Sequence, residues 1–216
     1  EIDLLAFQES NQALPVKKGN KSVVMVSAGK CLENTEIRIM YPEGNIKKER
    51  ELGEIIIKSD CMLSEYYNRI EETKNSFING WFKTGDLGYI YNSELYISGR
   101  KKDLIIVGGK NIYPKDIETI AMDIEGVHPG RVVAFGLYNE QKGTEDVVII
   151  AEINDDFIEK KEIISDQIRK KVTLDSAVAL RNVLVVEKKW LIKTSSGKIA
   201  RALNKQKYIK EIKNES

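Results

Sequence analysis

The chain has 216 residues, of which 42% are hydrophobic and 31% charged, a composition typical of a globular protein rather than a disordered one. Its 34 Lys and Arg residues balance 33 Asp and Glu residues, so the net charge of +1 argues against a dedicated nucleic-acid binder. No apolar run approaches the length of a membrane span and no secretion signal is evident, which predicts a cytoplasmic protein without a membrane span.

The rare residues exclude further classes of site. Cys31 and Cys61 lack partners at metal-ligand spacing, so two reduced thiols are expected rather than a disulfide or a zinc site. The single histidine, His128, is expected in a loop or turn, and a histidine-based catalytic triad lacks its parts. No metal-ligating residues are assigned.

The first part of the chain, residues 1–99, shows short β-type runs separated by turn residues. Residues 1–7 (EIDLLAF) are predicted as a strand, residues 36–40 alternate as a half-buried strand does, and residues 42–45 form a reverse turn. This part is therefore expected to be an antiparallel β-rich subdomain, in the form of a distorted barrel.

The second part, residues 104–216, mixes strands with helices, and a charged joint at residues 100–103 precedes it. A helix is predicted to begin near Pro114. Asp155 and Asp156 are expected to cap another helix, whose apolar stripe is Phe157, Ile164, Ile168 and Val172. The fold class is thus mixed α/β, with a small α+β domain at the C-terminal end.

The first segment with candidate chemistry is the run at residues 82–89 (FKTGDLGY). Gly85 permits a tight turn that leaves the Asp86 carboxylate able to accept hydrogen bonds from a vicinal diol such as a ribose. The alternative is an aspartate that caps its own turn. Arg100, at the end of a predicted strand, could bond a ribose or a phosphate, or could be a surface arginine in a basic joint.

The second such segment is residues 193–201 (KTSSGKIAR), where Lys198 follows a flexible Ser-Ser-Gly approach. A phosphate-binding P-loop is excluded because Ile192 and Ile199 stand where that motif needs glycine and a hydroxyl residue. What remains is a mobile lysine able to offset charge between a phosphate and a carboxylate. The alternative is an exposed lysine at a helix start, a mildly unfavourable place for a cation.

These segments, together with residues 53–67 (GEIIIKSDCMLSEYY) and 98–118 (SGRKKDLIIVGGKNIYPKDIE), resemble the adenylate-forming superfamily over about residues 22–208. That family includes acyl-CoA synthetases, adenylation domains of peptide synthetases, luciferases and fatty-acyl-AMP ligases. Its members use ATP and Mg²⁺ to convert a carboxylic acid to an acyl-adenylate, and then pass the acyl group to a thiol or another acceptor.

The resemblance implies a role for each candidate residue. Asp86 and Arg100 would hold the ribose of ATP or AMP, and Lys198 would bridge the carboxylate and the α-phosphate during adenylation. Lys102 would be the hinge, within residues 100–103, about which a mobile C-terminal domain swings. That swing would bring the loop of Gly108 and Gly109 to the acceptor tunnel.

Within the family, three features resemble fatty-acyl-AMP ligases: the Tyr-Pro-x-Asp-Ile-Glu ending, the SVVMVSAGK run and the lead-in at residues 2–21. In those ligases an inserted segment like the lead-in disfavours coenzyme A, so an acyl carrier protein is the expected acceptor. An acyl-CoA ligase and a non-catalytic module that docks on a carrier protein are the alternatives.

The chain also departs from the family pattern. Ile192 replaces the usual proline, which is expected to loosen the lysine loop. The family's phosphate loop and adenine segment lie upstream in its members and are absent here, so this chain is expected to be a C-terminal portion. It would be inactive alone, with fatty acid and ATP bound largely by the missing upstream domain.

Overall fold

The computed structural model describes residues 1–213 of the chain. The chain forms two compact units, Glu1–Lys102 and Asp103–Ser216. Within the described residues, no helix has the length and apolar character needed to cross a membrane. Cys31 and Cys61 are free and exposed.

The first unit is built mainly from strands. In chain order its elements are β1 (Ile2–Asp3), α1 (Leu4–Ser10), β2 (Ser22–Val23), β3 (Ser27–Lys30), β4 (Thr35–Met40), β5 (Gly53–Ser59), α2 (Ile70–Ser76), β6 (Phe77–Ile78), β7 (Trp81–Tyr91) and β8 (Glu94–Arg100). A 3₁₀ turn, Lys101–Asp103, follows β8.

A six-stranded antiparallel sheet dominates this unit. The strand order is β3-β8-β7-β5-β4, and the short β6 pairs with β7. The predicted antiparallel β unit is therefore confirmed. The distorted barrel is not, because among the described residues the sheet is open and its end strands β3 and β4 do not pair with each other.

The start of the chain differs from the prediction of a strand over residues 1–7. Only Ile2–Asp3 is a strand, and the helix Leu4–Ser10 follows at once. The Asp3 carboxylate accepts the Ala6 N–H at 2.9 Å and so caps the helix. Leu4 and Phe7 are both buried and stand three residues apart, which is the spacing of one helix face and not of a strand.

The second unit wraps helices around a small sheet. Its elements are β9 (Ile105–Val107), β10 (Lys110–Ile112), α3 (Pro114–Met122), β11 (Val127–Asn139), β12 (Thr144–Ile153), α4 (Lys161–Ser176), β13 (Leu180–Val186) and α5 (Arg201–Tyr208). A 3₁₀ turn, Asp155–Lys160, precedes α4, and a π-helical turn, Ile209–Lys213, follows α5.

The three-stranded sheet of this unit, in the order β11-β12-β13, is antiparallel on one side of β12 and parallel on the other. Successive residues of β11 enter different cores: Val132 and Ala134 pack with α3 and α4, whereas Val133 and Phe135 pack with Leu191 and α5. A sheet covered on both faces needs such continuous apolar runs.

Two helix predictions meet different outcomes. A helix begins at Pro114, as predicted. The second helix begins at Lys161 rather than at Asp155 and Asp156, which lie in the 3₁₀ turn before it. Its predicted stripe is nevertheless buried at the three positions Ile164, Ile168 and Val172.

His128 lies within the span of β11 rather than in a loop between elements. The strand is irregular at this point, since its register with β12 shifts between Val127 and Val132. The imidazole Nδ1 lies 2.9 Å from the carbonyl oxygen of Pro129. This histidine thus makes a local backbone contact in a bulged part of the strand.

Candidate functional site

Asp86 lies in a bulge of β7 rather than in a turn between elements. The register of β7 with β5 shifts at residues 84–86, and Gly85 takes a left-handed backbone conformation with φ of +73°. The Thr84 hydroxyl donates to the Ile55 carbonyl at 2.8 Å and accepts the Asp86 N–H at 3.0 Å. Since Thr84 caps the bulge, the Asp86 carboxylate is left for another partner.

That partner is Arg100, the cross-strand neighbour of Asp86 on β8. The guanidinium Nε lies 2.9 Å from Oδ1 of Asp86, and the two side chains are 56% and 30% exposed, respectively. An ion pair this exposed contributes at most about 1 kcal/mol, so a ligand can rearrange it. The second oxygen, Oδ2, has no hydrogen-bond partner among the described residues and remains able to accept from a diol.

The joint around Lys102 is held on each side. Before it, the Lys101 ammonium lies 2.8 Å from the carboxylate of Glu54, which is largely buried in the first unit. After it, Asp103 pairs with Arg201 of its own unit. Lys102 itself is exposed, and its ammonium has no partner within residues 1–213.

Gly108 and Gly109 form the two-residue turn between β9 and β10, with φ of +56° and +82°. Two consecutive positive φ values are the hairpin geometry that glycine adopts most readily. A Cβ added at either residue would meet no atom within 4 Å. The turn therefore presents bare backbone toward open space.

Lys198 lies on a hydrogen-bonded hairpin formed by residues 193–199. Lys193 and Ile199 form a β-bridge, and the Thr194 N–H donates to the Lys198 carbonyl at 2.8 Å. Gly197 closes the hairpin with φ of +80°. The Lys198 side chain is exposed, and its ammonium has no partner within the described part of the chain.

The base of this hairpin is fixed by Asn204 of α5, which is fully buried. Its side-chain oxygen accepts the Ile192 N–H at 2.9 Å, and its nitrogen donates to the carbonyls of Ile192 and Ala200. Isoleucine has an N–H that proline lacks, and Asn204 binds it, which argues against the expectation that Ile192 loosens the loop. Lys198 also precedes α5, so it is not in the first helical turn.

Arg201, for which the sequence predicted no role, makes three polar contacts within the second unit. Its guanidinium donates to Asp103, to the buried Glu118 at 2.7 Å and to the Ala134 carbonyl at 2.9 Å. It stands at the first position of α5, three residues after Lys198. A positive charge at the N-terminus of a helix interacts unfavourably with the helix dipole. This unfavourable position was the one sequence signal that Arg201 serves another purpose, such as binding carboxylates elsewhere in the unit.

The structure thus pairs Asp86 with Arg100 in the first unit, while Lys198 and the Gly108–Gly109 turn belong to the second. Within residues 1–213, no group of three or more His, Cys, Asp or Glu side chains is placed to hold a metal ion.

The chain was also compared with known protein families, curated proteins and solved structures. No protein-family model matches the chain. Over 131 residues it is 41% identical to the long-chain-fatty-acid–CoA ligase FadD13 of Mycobacterium tuberculosis, an alignment that covers 60% of this chain and 25% of that ligase. It is also 32% identical to JamA of Moorena producens, a medium-chain-fatty-acid–[acyl-carrier-protein] ligase, in an alignment 217 positions long. That alignment covers 93% of this chain and 36% of JamA.

Among solved structures, one from work on fatty acyl-adenylate ligases of E. coli and L. pneumophila matches with a TM-score of 0.86 and 29% identity. The match covers 100% of this chain and 38% of that one. The chain therefore spans between a quarter and two fifths of the length of these proteins.

Proposed function

Because this chain belongs to the adenylate-forming superfamily of ligases and matches a C-terminal part of its members, we propose that the complete protein activates a fatty acid with ATP. A carboxylate oxygen of the acid bonds to the α-phosphorus, the bond from that phosphorus to the bridging oxygen breaks, and pyrophosphate leaves. The product is an acyl-adenylate. This chain alone, which covers only a fraction of the relatives' length, is inactive.

The observation that carries the proposal is the Lys198 hairpin. Its backbone is fixed by the Lys193–Ile199 bridge and by Asn204, yet the ammonium at its tip is exposed and unpaired within the described residues. A preorganised positive charge stabilises the charge that develops between carboxylate and α-phosphate. Asp86 and Arg100 supply, in the first unit, a carboxylate and a guanidinium for the ribose hydroxyls.

In the second half-reaction, the proposed acceptor is the phosphopantetheine thiol of an acyl carrier protein. The thiol sulfur bonds to the acyl carbon, the bond from that carbon to the phosphate oxygen breaks, AMP leaves with the electron pair, and the thiol proton passes to solvent. The match to JamA, a ligase for carrier protein, extends over 93% of the chain and supports this acceptor.

Coenzyme A is the second candidate acceptor, because FadD13, a CoA ligase, has the higher identity over its shorter match. The two acceptors are distinguished by supplying each to the complete ligase with ATP and fatty acid. Robust release of acyl-CoA would exclude the carrier-protein assignment. The family also implies Mg²⁺, for which residues 1–213 offer no group of three or more His, Cys, Asp or Glu side chains.

The test of the adenylation proposal is acid-dependent exchange between ATP and pyrophosphate in the complete ligase. We expect Lys198→Ala to lower exchange by about 10²- to 10³-fold, since removing one preorganised group commonly costs about 2.7 to 4 kcal/mol. Lys193→Ala removes a lysine from the other side of the same hairpin and is the matched control. Equal exchange in the two variants would refute the role of Lys198 and favour a non-catalytic docking module.

A further inference from the structure

The β9–β10 hairpin is held by side chains of β12 in place of a neighbouring strand. The Ile106 N–H donates to Oε2 of Glu145 at 2.7 Å, and the Ile106 carbonyl accepts from the Thr144 hydroxyl at 3.0 Å. The same Thr144 oxygen accepts the Gly108 N–H at 2.8 Å. One hydroxyl and one carboxylate thus fix three backbone groups, two on Ile106 of β9 and one on Gly108 of the turn.

The pairing of the hairpin explains why these backbone groups are available. Residue pairs in an antiparallel ladder alternate between those that exchange hydrogen bonds and those that do not. Ile106 pairs with Asn111, between the pairs formed by Val107 and Ile105. Its N–H and C=O face away from β10, so they would be exposed to solvent if Thr144 and Glu145 did not bind them.

Gly136 of β11 completes the arrangement. A Cβ built at this residue would lie 2.5 Å from Oε1 of Glu145 and 2.8 Å from Cγ2 of Ile105. Its backbone does not have a left-handed φ, so the requirement for glycine here is space and not conformation. The absent side chain at 136 leaves room for the Glu145 carboxylate beside β9.

We infer that Thr144, Glu145 and Gly136 are positioning residues that orient the Gly108–Gly109 turn toward a narrow ligand, the phosphopantetheine arm of the acceptor. This inference rests on the proposed function, whose acceptor carries a phosphopantetheine thiol, and on the family resemblance, which implies that this turn meets the acceptor tunnel. Three features support it: the turn presents bare backbone to open space, it has two positive φ values, and its orientation is fixed from β12. The hydrogen bonds that Thr144 and Glu145 make to this segment end on the β9–β10 hairpin and not on the Lys198 hairpin, so we expect these residues to act on transfer rather than on adenylation.

The first test concerns this chain alone and does not depend on activity. Thr144→Val keeps the shape of the side chain and removes the hydroxyl, so we expect amide hydrogen exchange at Gly108 to accelerate roughly tenfold, the effect of losing one hydrogen bond. Thr144→Ser restores the hydroxyl and should restore protection. Unchanged exchange at Gly108 in the valine variant would overturn the inference.

The second test separates the two half-reactions in the complete ligase. We expect Thr144→Val and Gly136→Ala to slow acyl transfer roughly ten- to hundredfold, as misplacement of a positioning group does, while exchange between ATP and pyrophosphate stays within about twofold. Thr144→Ser should recover transfer, which a general loss of folding would not allow. Thr119→Val, which removes another hydroxyl bonded to the backbone of this unit, is the matched control.

The outcomes distinguish the inference from the proposed function. Absence of acid-dependent exchange in the unmodified ligase refutes the proposed function, whatever the variants do. Normal exchange with undiminished transfer in Thr144→Val overturns only the positioning role. Slowed transfer with both acyl carrier protein and coenzyme A supports recognition of the shared pantetheine arm, and slowing with carrier protein alone supports that acceptor.

Discussion

At the scale of single residues, the candidate ribose site depends on Thr84, which binds the backbone of the bulge and so leaves the Asp86 carboxylate for Arg100. Aspartate commonly caps its own turn, but in β7 the Thr84 hydroxyl takes that role, and Asp86 faces Arg100 instead. The sequence predicted both charged residues without their pairing. It could not show the pairing, because cross-strand register depends on the bulges at residues 84–86 and at Ser98, which no local propensity specifies.

Asp86→Asn tests this residue in the complete ligase. The amide retains one acceptor but loses the charge, so we expect the KM for ATP to rise about tenfold, since a hydrogen bond to a charged group contributes about 1.5 to 3 kcal/mol. The free energy of unfolding should change by less than about 1 kcal/mol, because the pair with Arg100 is exposed.

The control for this prediction is Glu36→Gln, which breaks the exposed Glu36–Arg38 pair of the same sheet. Steady-state kinetics and urea unfolding of both variants are the measurements. A change in KM of the same size in Glu36→Gln would show that Asp86 has no specific part in binding ATP.

At the scale of elements, regular periodicity was a reliable guide and short ordered loops were not. The start of α3 at Pro114 and the buried positions Ile164, Ile168 and Val172 follow from local pattern and are confirmed. The lysine hairpin was predicted to be flexible from its Ser-Ser-Gly composition. The structure shows a hairpin whose base is hydrogen-bonded to Asn204 in the next helix, a contact that composition does not show.

Asn204→Ala should therefore disorder the lysine hairpin. It removes the partner of the Ile192 N–H, leaves partly buried backbone groups unsatisfied and empties the space of a buried side chain, so we expect a loss of about 2 to 3 kcal/mol in the free energy of unfolding. Gln206→Ala, at an exposed position of the same helix, should change it by less than about 0.5 kcal/mol. Denaturant unfolding and amide exchange at Ile192 would measure both, and equal effects would exclude the anchoring role.

The N-terminal turn of α3 holds a carboxyl group that destabilises the fold when it ionises. Burial, and then the neighbouring Glu118, raise the pKa of Asp116 to about 6, while Lys115 opposes the shift. A carboxyl whose pKa is higher in the folded state contributes stability below about pH 4 that is lost as the pH rises through about 6. At about 1.4 kcal/mol per pKa unit, that loss amounts to roughly 2 to 3 kcal/mol.

Asp116→Asn should remove this pH dependence. We compare the free energy of unfolding of the variant with that of the unmodified chain at each pH. The difference between them should be about 2 kcal/mol more in favour of the variant at pH 7.5 than at pH 4. Asp123→Asn, at the exposed end of the same helix, serves as the control and should show no such gain. Urea unfolding of both variants at the two pH values is the measurement. The same pH-dependent gain in both variants would contradict the attribution of this pH dependence to Asp116.

At the scale of the whole molecule, the two units differ in how much apolar surface they bury. The second unit has apolar cores on both faces of its sheet, to which its strands and its helices α3, α4 and α5 all contribute. The first unit leaves several large apolar side chains exposed, among them Val26 and Leu32 at 80% and Tyr67 at 86%. Small cores give marginal stability, so the second unit should be the more stable of the two.

The chain should accordingly unfold in two steps, and its two tryptophans report one unit each. Trp81 lies in β7 of the first unit, and Trp190 packs beside the apolar core of the second. We expect the fluorescence of Trp190→Phe, which retains Trp81, to change at a lower urea concentration than that of Trp81→Phe. Circular dichroism of both variants checks that each substitution leaves the other transition in place. Coincident transitions would mean that the two units unfold as one cooperative body. The domain swing about Lys102 that the family resemblance implies would then lack the independent domain that it requires.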